Sequence, residues 1–466
     1  MASYLRKQND VEIIQDILHV LSPDILPPEP FTDTTSVSAN QALRAISDLS
    51  MITEALLRTE TPQRTDTYRI RFYQRLLEGW EGIAQWMMFL LRHPETLSPH
   101  LTFASPLVTR VTISNAMCLL RTTDITAIQD VINDIVAHPA TLPLIHLLFS
   151  QKDPETGTYY VLSVGPDPQP CPLLYIAKYL TTPPALPIFM NRLDMCGSMT
   201  MRRDILLSLV RRPQAIAASV VNPDPASLKC ALKSLVLLMN AVVNIISLTP
   251  QTYDPTPFHL YFIKQRYFYH FTAAFNTLTE LASPYPIATP LSPTIPTPAQ
   301  RQLLLDMDGF WGDMSKYLQE ITQTTTETSL DPPKALADAI SGGLILAAFR
   351  CLVMRGRLSR YVRGQSGKQE SAKVEDCVFE GVLAGVRRSL THRRVVEAVE
   401  ASERVLEEKK GGSDFMELVK GALRPYELKD LEGFYEEWRQ AKKFFDEGVT
   451  GARPELCQNL KVCSSS

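Results

Sequence analysis

The chain has 466 residues, with 47 Lys plus Arg against 50 Asp plus Glu and a formal net charge of -3. That length holds roughly three average domains or one extended helical array, with a core that needs no disulfide or metal to stabilise it. The balanced charge excludes whole-molecule steering toward a polyanion or an anionic membrane.

The amino end, MASYLRKQNDVEII, becomes charged at Arg6 and Lys7 and has no uninterrupted apolar h-region, so a secretory signal is not expected. An intracellular protein, cytoplasmic or nuclear, is the expectation. Of the 8 cysteines, Cys118, Cys230, Cys351 and Cys377 sit in helical apolar patterns and read as reduced, buried thiols.

Apolar residues at helical spacing predict a first helix over Val11 to Leu21, stopped by Pro23. Ser38 reads as the cap of a second helix whose inner face is Ala42, Leu43, Ile46, Leu49, Ile52 and Leu56. A third, aromatic-anchored helix runs from Tyr68 to Arg92. Shorter helices follow at Leu107 to Arg121, Ile125 to Ala137 and Leu142 to Phe149, and short loops between them imply antiparallel stacking. Thr158 to Val164, TYYVLSV, follows the turn-like DPETG; its composition fits a strand or an extended loop equally, because no partner strand is evident.

Helical spacing resumes through Leu180, Pro184 to Cys196 and Met201 to Arg211. Ala226 to Leu248 is the longest continuously apolar stretch and reads as an inner helix, with Lys229, Lys233, Asn240, Asn244 and Ser247 on one narrow polar stripe. Its uncharged run from Ser234 to Leu248 is shorter than the roughly 20 residues of a membrane span, and the run from Ala335 to Met354 contains Asp338 and Arg350, so no membrane partner is expected. Pro257 to Leu281 is a helix with two aromatic stripes, which implies two packed neighbours.

Ser283 to Pro298 has six prolines and no charge and reads as a linker. It divides an N-terminal helical domain, 1–282, from a C-terminal helical domain, 299–448, that is followed by a tail, 449–466. Helices are expected at Ala299 to Gln323, Pro333 to Tyr361, Val374 to Leu390, Arg393 to Lys410, Phe415 to Leu423 and Leu428 to Asp446. No fixed-period repeat is evident, so the fold class is an all-α, irregular, solenoid-like multi-helical array.

Motifs that would carry chemistry fail on context. GQSGK at Gly364 to Lys368 lacks the first glycine, the following Ser or Thr and the preceding strand of a phosphate loop. DMDGFWGD at Asp306 lacks the later ligands of a calcium loop. His259 and His270 share a helix face but lie roughly 16 Å apart at the helical rise, too far to share one zinc. H-E-x-x-H, G-x-S-x-G and C-x-x-C do not occur in the sequence, and the expected protein is not an enzyme.

Binding features are fewer and each has a plain structural alternative. Arg350, Arg355, Arg357, Arg360 and Arg363 make a basic helix end, and Arg387, Arg388, Arg393 and Arg394 make another. Such clusters are usually solvated helix ends; the sharper reading is docking of an acidic partner or nucleic acid, with Arg355, Arg357 and Arg360 as its residues. Asn240 and Asn244 satisfy buried neighbours or, on the alternative, line a ligand groove.

In the tail, ARPELCQNLKVCSSS, Cys457 and Cys463 suggest a metal site. Together with LLEGWEGIAQWMMFLL at Leu76, DPETGTYY at Asp153 and FYEEWRQAKKFF, this tail resembles fungal proteins in which a long helical region leads to a MYND-type zinc finger. In that family the finger binds two zincs and recognises partners. Cys457 and Cys463 match only its first ligand pair, at wider spacing, and two thiolates do not complete a structural zinc site. The resemblance therefore implies a finger that is degenerate or a reading frame that stops early, with zinc as cofactor only if it is completed beyond Ser466. The function expected is a non-enzymatic helical scaffold for an unidentified protein partner. The alternative is a ligand- or nucleic-acid-binding module.

Overall fold

Apolar residues three and four apart give most of this chain a face that water disfavours, and helices bury such faces against one another at about 1.5–3 kcal/mol for each large side chain. In the computed structural model the described residues are 10–29, 31, 33–58, 62–97, 105–120, 123–162, 169–195, 198–247, 256–283, 298–366, 377–408 and 425–447. Among them are 19 α-helices and no strand, so the fold is the all-α multi-helical array expected.

The chain forms two compact units: Met1–Ala215 with Val236–Phe258, and Ile216–Leu235 with His259–Ser466. The helices of the first unit are α1 (Asp10–Val20), α2 (Asp33–Arg58), α3 (Pro62–Glu78), α4 (Trp80–Arg92), α5 (Pro106–Met117), α6 (Thr126–Ala137), α7 (Thr141–Ser150), α8 (Pro172–Leu180) and α9 (Leu186–Met195). The ranges of α10 (Met199–Ala218) and α11 (Pro225–Ser247) run through unit boundaries. α12 (Thr256–Lys264) likewise runs through a boundary, and the second unit continues with α13 (Tyr267–Ala282), α14 (Pro298–Gln323), α15 (Pro332–Ser341), α16 (Leu344–Ser366), α17 (Cys377–Arg388), α18 (Arg393–Glu408) and α19 (Pro425–Asp446).

Within each unit a helix packs on the helix three places along. In the first unit α2 lies on α5 and α5 on α8, α3 on α6 and α6 on α9, and α4 on α7. In the second, α13 lies on α16, α14 on α17 and α15 on α18. This is the connectivity of a three-helix solenoid repeat, present in space although no period is visible in the residues. Buried tryptophans pin the first unit: Trp80 Nε1 donates to Thr141 Oγ1 at 2.7 Å, joining α4 to α7, and Trp86 Nε1 donates to Ser22 O at 3.1 Å.

Three stretches with an unbroken helical pattern are each two helices. Tyr68 to Arg92 breaks at Gly79. Nearby, a Cβ on Gly82 would stand 2.2 Å from Leu21 O, so the end of α1 crosses the start of α4 where only glycine leaves room. Pro257 to Leu281 breaks at Arg266, whose φ of 57° is left-handed. Arg266 Nε bonds Asp338 Oδ1 at 2.7 Å, and its guanidinium lies 4.7 Å from the Tyr269 ring centroid. Pro333 to Tyr361 breaks at Gly342–Gly343, between helices bent by 59°. Gly343 has φ +101°, and a Cβ on Gly342 would fall 2.0 Å from Thr272 Oγ1 and 2.5 Å from Tyr269 O. That corner is where α13 meets α15 and α16.

The same packing moves the domain division away from the proline run. α13 precedes that run, yet its packing neighbours α15 and α16 follow it, so α13 belongs to the second unit rather than to a domain ending at 282. Residues 284–297 of the expected linker lie outside the described residues, as do the helix at Phe415 to Leu423 and the whole 449–466 tail. Ser38 is inside α2 rather than its cap, because α2 starts at Asp33. The expected inner helix, α11, has 23 residues and is long and apolar enough by length and composition to cross a membrane; 61% of its most apolar stretch is buried within the chain.

The corner yields a direct test. Gly343→Ala combines a side chain at positive φ with a neighbour, Asn276 Cγ, 2.7 Å from the new Cβ. It is expected to lower the stability of the second unit by about 2 kcal/mol or more in chemical denaturation. A change below about 0.5 kcal/mol would mean that the backbones do not approach as described.

Candidate functional site

The segment after α7 carries the densest unusual chemistry in the first unit. Over its described part, 158–162, the segment is the extended loop rather than the strand, the two readings its composition left open; a single antiparallel bridge pairs Tyr159 with Lys152. Side chains take the backbone groups that a partner strand would have taken. Arg212 Nη1 donates to Tyr160 O, and Leu162 N donates to Cys171 Sγ at 3.3 Å.

Arg212 is fully buried on α10. Its Nη2 donates to Phe149 O at 2.8 Å, a carbonyl in the last turn of α7, where the helix dipole favours a cation. The guanidinium carbon lies 5.5 Å from the ring centroids of both Phe149 and Tyr159. Arg110, buried on α5, completes the arrangement: it lies 4.4 Å over the Tyr160 ring and donates to Gln151 Oε1. Gln151 is the cap residue of α7, and its Nε2 reaches Leu91 O at the end of α4 at 3.5 Å. Two guanidinium groups therefore fasten both ends of the segment to the helices beneath.

Burial dominates the electrostatics. It lowers the pKa of both arginines; nearby Cys171 and Tyr159 oppose the shift for Arg212, as Tyr160 does for Arg110. Burial also pushes the Cys171 thiol up, against the pull of the Arg212 charge. Both arginines remain cations, because a guanidinium keeps its proton under any ordinary condition. Each keeps an Nε without a partner among the described residues, so this is a costly cluster held by carbonyls and aromatic faces.

What the clamp holds is an exposed turn. Residues 154–158 are exposed, and the turn is bonded to itself. Asp153 N donates to Thr158 O at 2.8 Å, and Gly157 N donates to Asp153 O at 2.8 Å with Gly157 at φ +66°. Asp153 Oδ1 accepts from Glu155 N and its Oδ2 from Thr156 Oγ1, both at 3.0 Å. Lys152 Nζ sits 5.2 Å from the Tyr159 ring centroid at the base. The arrangement is an acid-tipped loop whose shape is held by its own hydrogen bonds.

The residues singled out from sequence lie elsewhere. Asn240 is exposed and Asn244 half-buried on α11, so the stripe is surface, not the polar seam of an inner helix. Lys229, on the same stripe, is exposed and sits 3.6 Å from Asp306. Arg355 is half-buried on α16; the side chains of Arg357 and Arg360 lie outside the described residues. Arg350 of that cluster is structural, since its guanidinium bonds Asn276 and Thr279 of α13 and pairs with Glu280 at 2.6 Å. Cys457 and Cys463 are outside the described residues, among which no three His, Cys, Asp or Glu side chains gather as a metal ion would require. His259 is buried and accepts from Leu330 N through Nε2 at 3.4 Å, and burial lowers its pKa.

Sequence reasoning missed Arg110 and Arg212. The DPETG turn was visible, but a buried arginine inside LLSLVRRPQAIAA has no local signature, since its partners are 52 and 63 residues away. No family model matches the chain, and no curated protein or solved structure matches it.

Replacing Arg212 with Met removes the donor to two carbonyls and is expected to cost about 3 kcal/mol in chemical denaturation. Asn240→Leu, at an exposed site, is expected to stay within about 0.5 kcal/mol. Equal effects of the two changes would contradict the clamp.

Proposed function

We propose that this chain is a non-enzymatic helical scaffold for protein–protein interaction, and that the turn at 153–158 is the element it offers to a protein partner. The observation that carries this reading is a turn both exposed and hydrogen-bonded to itself, with its base anchored by two buried arginines. Binding through such a loop avoids the ordering cost of about 0.5–1.5 kcal/mol per immobilised side chain that a loose loop would incur. Stacked helical arrays supply the extended surfaces on which such elements are mounted. The resemblance to helical regions of MYND-type proteins, whose fingers recognise partners, supports the same class of function.

The test compares affinity capture from the native source by the full chain and by Glu155→Arg, which reverses the exposed charge while leaving the side-chain bonds of Asp153 and Thr156 in place. A reproducible set of protein partners that is captured by the native chain and lost with Glu155→Arg, at unchanged circular dichroism, is the expected outcome. Capture of no reproducible partner, or of the same set by both chains, would contradict the proposal.

A further inference from the structure

The end of α14 is unlike the other helix ends. Residues Thr324–Thr328, TTTET, form a π-helical turn, a geometry that is rare and concentrates at functional positions. Threonine accounts for it. Its β-branch is a weak helix former, and its hydroxyl competes for the carbonyls of the preceding turn. Here Thr324 Oγ1 donates to Glu320 O at 2.8 Å, Thr326 Oγ1 to Thr322 O at 2.9 Å and Thr328 Oγ1 to Thr324 O at 2.8 Å. Side-chain hydroxyls thus bond successive carbonyls through the turn.

Thr328 is the exposed member of the three, and the backbone changes character immediately after it. Ser329 is extended, at φ -73° and ψ 141°, and Asp331 is non-helical, at φ -136° and ψ 76°. Asp331 therefore stands three residues beyond an exposed hydroxyl, along a stretch that is already out of the helix. Its Oδ1 also caps α15, accepting from Lys334 N at 3.3 Å. Leu330 N is tied to His259 Nε2 by a weak 3.4 Å bond. Thr324 also has a carboxylate three residues on, Glu327, but the residues between are inside the π turn. Thr326 has Ser329 at that place.

We propose that Thr328 is a phosphorylation site for an ATP-dependent protein kinase that selects an acceptor by a carboxylate at the third following position. In the step, Thr328 Oγ1 attacks the γ-phosphorus of ATP; the bond from that phosphorus to the β-bridging oxygen breaks, ADP leaves and the hydroxyl proton passes to the kinase's base. The product loses the Thr328 hydroxyl bond to Thr324 O. It also places about two negative charges at a helix C-terminal end, between Glu327 and Asp331. Each effect loosens the turn, and the turn is packed on α15. Phosphorylation accordingly releases the end of α14 from α15 within the second unit.

The experiment treats the folded full chain with ATP and an acidophilic kinase, locates the phosphate by mass spectrometry, and measures hydrogen exchange before and after. A peptide spanning 322–334 serves as the comparison. Asp331→Asn removes the selecting charge while keeping an equally good helix cap, so loss of the fold does not confuse the result. The expected result is one phosphate on Thr328, uptake at least about tenfold slower in Asp331→Asn, and exchange over 322–334 several-fold faster after modification. Labelling only at other residues, labelling of the peptide but not of the folded chain, no labelling of either, or a rate indifferent to Asp331→Asn would overturn the site. Unchanged exchange in the phosphorylated chain would overturn the release.

Discussion

Burial of apolar helix faces against neighbouring helices, in both units repeatedly the helix three places along, is the constraint from which the rest of this structure follows. An isolated helix of 9 to 26 residues, the range found here, has no strong reason to persist in water; most of its stability comes from the surface it covers. Meeting that requirement against neighbours a few helices away obliges the chain to turn sharply between helices. Those obligations explain the breaks at Gly79, Arg266 and Gly342–Gly343, each inside a run whose spacing alone would continue as one helix. Glycine at the α15–α16 corner admits the α13 backbone, while Arg266 accepts a left-handed conformation of roughly 1 kcal/mol or more in a position where Asp338 and Tyr269 offset it.

The second consequence concerns the segment after α7. A stacked array has no sheet in which an extended stretch can satisfy its backbone, so the carbonyls of Phe149 and Tyr160 need another donor. Arginine suits this role better than lysine, because its planar fork reaches two carbonyls at once and its faces lie against Phe149 and Tyr159. The cost is a pair of cations in a poorly solvated place. The return is an exposed turn whose shape is set before any partner arrives.

Much of the fold was legible in the residues. The inner face of α2, Ala42, Leu43, Ile46, Leu49 and Ile52, is buried as its spacing implies. Leu56 of that face lies outside the described side chains. Helix type was legible because a 3.6-residue period is a local property. Breaks were not, because Gly79 and Gly342 face atoms 61 and 70 residues away, Leu18 Cδ2 and Thr272 Oγ1 among the contacts that decide them. A proline-rich stretch marks local stiffness, whereas membership of a compact unit follows what a helix packs on, and α13 packs on α15 and α16. The polar stripe of α11 misled because Lys229, Asn240 and Ser247 are exposed, so the polar edge of an apolar helix was read as a buried seam. Arg212 could not be found from sequence, since nothing local separates a clamping arginine from a solvated one.

The first unit carries the exposed turn at 153–158, and the rigidity of that turn is what its proposed use depends on. Residue-resolved hydrogen exchange on the native chain tests it directly. The amides of Asp153 and Gly157, each bonded at 2.8 Å within the turn, are predicted to exchange roughly 100-fold or more slowly than in an unstructured peptide, although Gly157 is exposed and Asp153 only half-buried. Exchange at the unstructured rate would contradict the claim that the turn is held in advance of binding.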